Sequence, residues 1–565
     1  MSSVFVVVAN ILISIIQEGA RKKRNIRDNI FVLNAILNSH KKGKEKDLDI
    51  QVYDIEKCFD SLWLQEVINC LYEAGLQNDK LPLLFIENNN AEVSIKTNNR
   101  LSKRVSIRNI IMQGSVWGSL CCVVLMEKFG KIAYKNPELL YYYKGLVGIP
   151  PLQMVDDILG IKKCSSESRK LNTAINTFIK LEKLKLSEKK CHNVHVGKEN
   201  IQCQSLKING GEMKNTNQEK YLGDYIDKTG SPRINIEHRK SRGFGIISTI
   251  MAIIKEIPLA HWRVQAGLSL RQALLINGML FNSEAWHGVD IKDIIMLEKV
   301  DEALLRGILS AHPKIPIEAL YLETKSVPIR FIIASRRIMY LHTILQKDEY
   351  EMVRQTYEAQ KLKPLQGDFV KLVMNDCEII DLEMDEKEIE NLPKQRLKNI
   401  VKIKVQKAAF KFLQALKNTH SKMKNIIYNT FEEAAYLSSP LFNNESRKLL
   451  LALRTRTVPG IRTDYGALYA DKMCPLGCGE EDTLANILSC RILKERYKTD
   501  EVIINSDIQY ADIFTQNIRK QKEATELFRQ LLELRYQILS SIPVANTGPV
   551  HSQQTVQKLS VLSHA

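Results

Sequence analysis

Apolar residues at Leu48, Ile50 and Val52 alternate with polar neighbours, a two-residue period that predicts a strand running into Asp54. Upstream, Ile30, Leu33, Ile36 and Leu37 recur at helical spacing behind a basic run from Arg21 to Arg27. Downstream, Leu64, Ile68 and Leu71 share a helical face, with Asp60 or Ser61 placed to cap that helix and Gly75 to stop it. Alternation returns over residues 93–107 as a hairpin, and a helix follows over 116–131. Pro150 and Pro151 enter a second hairpin with Asp156 and Asp157 near its tip. Leu171, Ile175 and Phe178 mark another amphipathic helix, and residues 185–196 return as a strand. Strands and helices mixed in this way predict an α+β domain. After Gly230-Ser231-Pro232 the pattern turns helical, rich in Ile, Leu and Arg at first and more polar from residue 347 onward.

Composition narrows the class. A chain of 565 residues with 44% hydrophobic content can bury several cores. Lys and Arg outnumber Asp and Glu by 81 to 64, a net charge of +17. Such an excess points to a polyanionic partner, nucleic acid first and an anionic membrane surface second. The 11 cysteines form no dense framework, which reads as reduced, intracellular thiols. Residues 4–16 are apolar, but Asn10 and Ser14 interrupt them and the basic residues follow instead of preceding. That stretch is too short to span a bilayer and is expected to be a buried helix. The chain is therefore expected inside the cell, nuclear or cytoplasmic, without a membrane partner.

Three carboxylates carry the candidate chemistry. Asp54 ends one apolar run, and Asp156 and Asp157 sit in a turn between two others, where burial of charge is costly unless a cation offsets it. Nucleotidyl transfer needs a nucleophilic 3′-hydroxyl and a stabilised pyrophosphate, and two divalent ions serve both ends. Mg²⁺ prefers hard carboxylate oxygens and keeps several waters, so two or three aspartates suffice, with Mn²⁺ as an alternative ion. Asp54 and Asp156 are the expected bridging ligands, and Asp157 the third. An isolated Asp-Asp turn is usually only a solvated turn, and what lifts this one is its order after Asp54, Phe59 and Gln113-Gly114.

These strings carry a resemblance. The segment from Asp54 to Asp60 resembles the first catalytic motif of reverse transcriptases, Gln113-Gly114-Ser115 to Leu120 the second, and Met154-Val155-Asp156-Asp157 the paired-aspartate motif. Leu186 to Cys191 resembles the lysine-bearing segment, and Tyr221-Leu222-Gly223 the primer-grip motif. Among such enzymes the chain is most similar to those of non-LTR retrotransposons. The resemblance implies RNA-templated addition of deoxynucleotides to a primer 3′-end. Phe59 would then exclude a 2′-hydroxyl, and Gln113 and Gly114 would contact nucleotide and template. Lys190, or failing it Lys189, would donate a proton to pyrophosphate. Arg21, Lys22 and Arg24 would meet the triphosphate or template backbone, or form a plain solvated charge run. Partners would be an RNA template, a DNA primer and deoxynucleoside triphosphates.

The implied organisation is a right-hand polymerase: a shortened fingers segment over 1–45, a palm over 46–230 and a helical thumb over 231–346. A helical linker over 347–472, a zinc-knuckle-like segment over 473–497 and a C-terminal helix with a disordered tail over 498–565 would follow. Cys474, Cys478 and Cys490 resemble the knuckle's thiolates, with Zn²⁺ as the expected ion, but Asn486 stands where the knuckle has its histidine. Val155 replaces the usual small residue before the aspartate pair. The abbreviated fingers and Asn486 leave a second expectation, a catalytically weak remnant that only binds nucleic acid. His192 and His195, on a strand, are read as satisfied structural residues, and Trp262, Trp286 and His287 as core.

Overall fold

The computed structural model describes Gln17, Gly19 and residues 24–541, except 43–46, 74, 77–80, 90, 99, 108–110, 112–117, 164, 198–205, 421–422, 424–427, 465–470 and 500–507. The expected helix over 4–16 and the tail beyond 541 lie outside the described residues, as do Gln113, Gly114, Arg21 and Lys22. The chain divides into two compact units. The first comprises Met1–His238, Phe281–Asp293 and Ile333–Asn399, and the second Arg239–Leu280, Ile294–Ile332 and Ile400–Ala565.

In the first unit, helix α1 (Ile26–Lys42) precedes strand β1 (Asp47–Tyr53). A one-turn helix at Cys58–Ser61 separates β1 from α2 (Leu64–Glu73). Helix α3 (Gly118–Lys135), the hairpin β2 (Leu152–Met154) and β3 (Asp157–Lys162), helix α4 (Ser165–Leu181) and strand β4 (His192–Gly197) complete the α+β core. Strand β5 (Lys214–Asn215) adds to the sheet, and β6 (Gln218–Tyr221) with β7 (Asp224–Asp227) forms a separate hairpin. Among the described residues the sheet runs β5-β4-β1-β3-β2, antiparallel except for the β5–β4 pair.

The strand predicted at Leu48–Val52 is therefore the centre of the sheet, and it is buried on both faces. Its polar residues do not meet water as simple alternation would suggest. Asp49 accepts from the Ser168 hydroxyl at 2.6 Å and pairs with His195 Nδ1 at 2.8 Å, while Gln51 donates to the Ser168 carbonyl at 3.1 Å. Buried polar atoms with such partners incur little penalty. Leu48 and Ile50, both fully buried, each contribute roughly 1.5–3 kcal/mol. Helix α2 ends as predicted: Gly75 has φ +87°, and Leu76 N–H reaches back to the Leu71 carbonyl at 3.0 Å. Asp60 and Ser61 do not cap α2; they belong to the preceding turn, where the Ser61 hydroxyl donates to the Glu56 carbonyl. The strand foreseen over 185–196 is confined to β4, because residues 185–191 form a loop that returns to Asp54.

Helix α1 is buried around most of its circumference. Phe31 meets Tyr340, Phe369 and His287 edge-on, and Asp28 accepts from Tyr340 Oη at 2.8 Å and Lys347 Nζ at 2.7 Å. Arg24 is also engaged, paired with Glu351 at 3.3 Å with its side chain almost fully buried. Trp286 and His287 are core residues, as read from the sequence.

The second unit is helical. Its charges are paired in the interior: Arg271 bonds Asp301 through two contacts of 2.6 Å, with Tyr321 donating to the same carboxylate, and Arg454 bonds Glu323 at 2.8 Å. Trp262 is not core there: it is 57% exposed. No helix among the described residues is long and apolar enough to cross a membrane.

Candidate active site

Sheet register brings the acidic residues together. Tyr53 of β1 pairs with Ile158 of β3, so the next residues along, Asp54 and Asp157, leave the ladder at the same end. Met154 pairs with Asp157, leaving Val155 and Asp156 as the two-residue turn between β2 and β3. Val155 takes φ +61° and Asp156 does not share a positive φ, the sign pattern of a II′ hairpin turn that ordinarily places glycine first. A β-branched residue held at positive φ is strained by about 1–3 kcal/mol.

The electrostatics match the geometry. Burial, and then the charges of Asp156 and Asp54, push the Asp157 carboxyl up to about 6, while Lys190 opposes the rise. Asp156 is raised mainly by burial, with Asp54 adding to the shift and Lys190 again opposing it. Carboxylates that feel one another's charge in this way resist ionising together. Hard carboxylate oxygens are the donor type that Mg²⁺ or Mn²⁺ takes, although among the described residues only the cysteine cluster Cys474, Cys478 and Cys490 has its ligand atoms within 4.8 Å of one another.

Lys190 is delivered by the loop before β4. Ser187 N–H donates to the Asp54 carbonyl at 2.9 Å, Glu56 N–H to the Lys185 carbonyl at 2.8 Å, and Asp54 N–H to Cys191 Sγ at 3.4 Å. With the loop pinned there, Lys190 Nζ lies 3.2 and 3.1 Å from the two Asp54 carboxylate oxygens. That hydrogen bond and the Asp54 charge raise the Lys190 ammonium. Lys189 is exposed. Burial pushes the Cys191 thiol up to about 11, so at neutral pH it acts as a thiol holding the Asp54 backbone. Nothing in the one-dimensional pattern singled out Cys191.

Phe59 sits on the one-turn helix after Asp54, half-buried and packed against the main core of the unit. The Tyr221-Leu222-Gly223 stretch makes the β6–β7 turn, with φ +45° at Leu222 and +92° at Gly223, the I′ pattern. A Cβ at Gly223 would lie 2.9 Å from Phe281 Cε1. Asn282 donates to the Leu222 carbonyl at 3.2 Å, and Trp286 Nε1 donates to Asp224 at 3.1 Å. Sequence reading placed Trp286 in the core but missed that it and Asn282 hold this hairpin. His195 is held through Nδ1 by Asp49 at 2.8 Å, whereas its Nε2, 3.4 Å from Asp47, and His192 Nδ1, 2.5 Å from Glu219, make close contacts without hydrogen-bond geometry, so the expectation of satisfied histidines holds only for His195 Nδ1.

In the second unit, Cys474, Cys478 and Cys490 place their sulfurs within 4.8 Å of one another. Asn486 lies against one of these sulfurs, its amide nitrogen 3.6 Å from Cys478 Sγ. Burial pushes the Cys474 thiol up to about 11. At Cys478 burial is outweighed by hydrogen bonds from the Glu480 backbone and Asn486, and the thiol falls below its ordinary value. The donor set suits Zn²⁺ through three sulfurs, with Asn486 in place of a fourth strong ligand.

Residues 7–226 match the family described as reverse transcriptase (RNA-dependent DNA polymerase). No curated protein matches the chain. Among solved structures, apo telomerase from Candida tropicalis is 11% identical at a TM-score of 0.32, the alignment covering 63% of this chain and 60% of that one. Telomerase from Candida albicans in complex with a TWJ fragment of telomeric RNA is 11% identical at 0.26, covering 62% and 53%. This chain spans less than two thirds of either protein.

Proposed function

From the premise that this chain carries an α+β reverse transcriptase domain, we propose that it is the RNA-directed DNA polymerase of a non-LTR retrotransposon, extending a primer 3′-end along RNA. The observation that supports this most is the meeting of Asp54, Asp156 and Asp157, with Lys190 beside them, at one end of β1 and β3. When bound, a pair of Mg²⁺ ions supplies activation of the primer hydroxyl and charge neutralisation on the pyrophosphate. Asp54, Asp156 and Asp157 would hold them. Lys190, exposed beside Asp54, would donate its proton to the leaving pyrophosphate oxygen. Phe59, one turn beyond Asp54, would close the sugar position against a 2′-hydroxyl. Gln113, Gly114 and Arg21 would complete the nucleotide contacts. Priming from nicked target DNA follows from the same family reading.

Primer extension tests this on poly(rA)·oligo(dT) with purified full chain and Mg²⁺. Extension by the wild type that Asp156→Ala abolishes is the expected result. Tight binding to the hybrid with no extension by either protein would overturn it in favour of a remnant that binds nucleic acid without copying it.

A further inference from the structure

The turn that carries Asp156 and Asp157 is gripped from outside the sheet. Gln17 is fully buried, and it makes a lone backbone bridge to Gln153 on the outer strand β2. Its side-chain amide spans both polar groups of the residue in the unfavourable conformation: Oε1 accepts from Val155 N–H at 2.8 Å, and Nε2 donates to the Val155 carbonyl at 3.0 Å. The same Oε1 accepts from Gly19 N–H at 2.9 Å, which fixes the amide's orientation. Gly19 is pressed against the turn, for a Cβ there would lie 2.6 Å from Val155 Cγ2 and 2.8 Å from Val155 N. Only glycine allows so close an approach.

We propose that Gln17, seated by Gly19, is a positioning residue for the polymerase carboxylates. By tying both backbone groups of Val155, it holds a valine in a conformation suited to glycine and so sets the direction in which Asp156 and Asp157 leave the hairpin. The clamp connects residues 138 apart in sequence. The inference rests on the reading of these aspartates as metal ligands.

Gln17→Met keeps the length of the side chain and removes both hydrogen-bonding ends. The test measures Mn²⁺ binding by electron paramagnetic resonance, deoxynucleotide kinetics and thermal melting on the full chain, in wild-type and Val155→Gly backgrounds. Expected in the wild-type background are Mn²⁺ binding weaker by about tenfold and kcat lower by about tenfold, with KM within about twofold. In the Val155→Gly background, where the turn no longer needs restraint, the loss shrinks to less than about threefold, the coupling expected of two residues in contact. Should Gln17→Met fail to fold, Gln17→Glu carries the same comparison, since it keeps the acceptor and loses the donor. Unchanged Mn²⁺ binding, or an equal loss in both backgrounds, overturns the proposal. A wild-type chain that binds Mn²⁺ with the predicted Gln17 dependence yet extends no primer removes the polymerase reading and leaves the clamp standing. Active wild type with a neutral Gln17→Met does the reverse.

Discussion

With its carboxyl held up to about 6 by burial and by its two acidic neighbours, Asp157 makes the metal-free protein pH-sensitive. The folded carboxyl keeps its proton to higher pH than an unfolded aspartate, so its contribution to stability is complete below the ordinary 3.8 and is lost as pH rises through about 6. The melting temperature without metal is therefore expected to fall over that window more in the wild type than in Asp157→Asn. Added Mg²⁺ should recover the difference at neutral pH, because cations relieve the repulsion. A second residue-scale prediction concerns Asn486, which lies against Cys478 Sγ. Asn486→His supplies a nitrogen ligand beside three sulfurs, so Zn²⁺ affinity measured by chelator competition should rise by at least about tenfold. At this scale residue type and order singled out Asp54, Asp156, Asp157 and Lys190 as candidates. They did not disclose Cys191 or Asn282, because a thiol or amide that holds a backbone has no pattern of its own.

Among the elements, β3 depends on α4 through one close contact. Gly160 in the middle of the strand leaves room for Leu171, since a Cβ there would stand 2.5 Å from Leu171 Cδ2, and Leu171 is fully buried. Gly160→Ala should destabilise the chain by about 1–3 kcal/mol in denaturant titration. Gly160→Ala combined with Leu171→Ala should lose less than the two changes summed. Helical periodicity made α2 and α4 legible, and β1 was legible from its alternation. The burial of Asp49 and Gln51 was not, because it requires knowing that β3, β4 and α4 surround β1. The cap expected of Asp60 or Ser61 failed for a related reason: the chain makes an extra turn after Lys57, which takes φ +48°.

Over the whole molecule, the net charge of +17 predicts binding dominated by phosphate contacts. Affinity for an RNA–DNA hybrid should fall on the order of a thousandfold between roughly 50 and 200 mM salt, with little dependence on base sequence. A shallow salt slope in filter binding would count against a nucleic-acid surface of this size. Charge sums are legible in any sequence. The distribution of buried ion pairs was not: Arg271, Arg454, Arg24 and Lys347 are all committed to internal carboxylates, which only the assembled units reveal.

By itself the sequence determined the kinds of element, the order of the acidic motifs and the basic balance, since side-chain periodicity and residue chemistry are local properties. Tertiary structure decided which distant groups meet: Gln17 with Val155, Lys190 with Asp54, Trp286 with Asp224. Those contacts close long stretches of chain. Their partners are selected by packing and by hydrogen-bond satisfaction in the folded interior, neither of which is written at any single position.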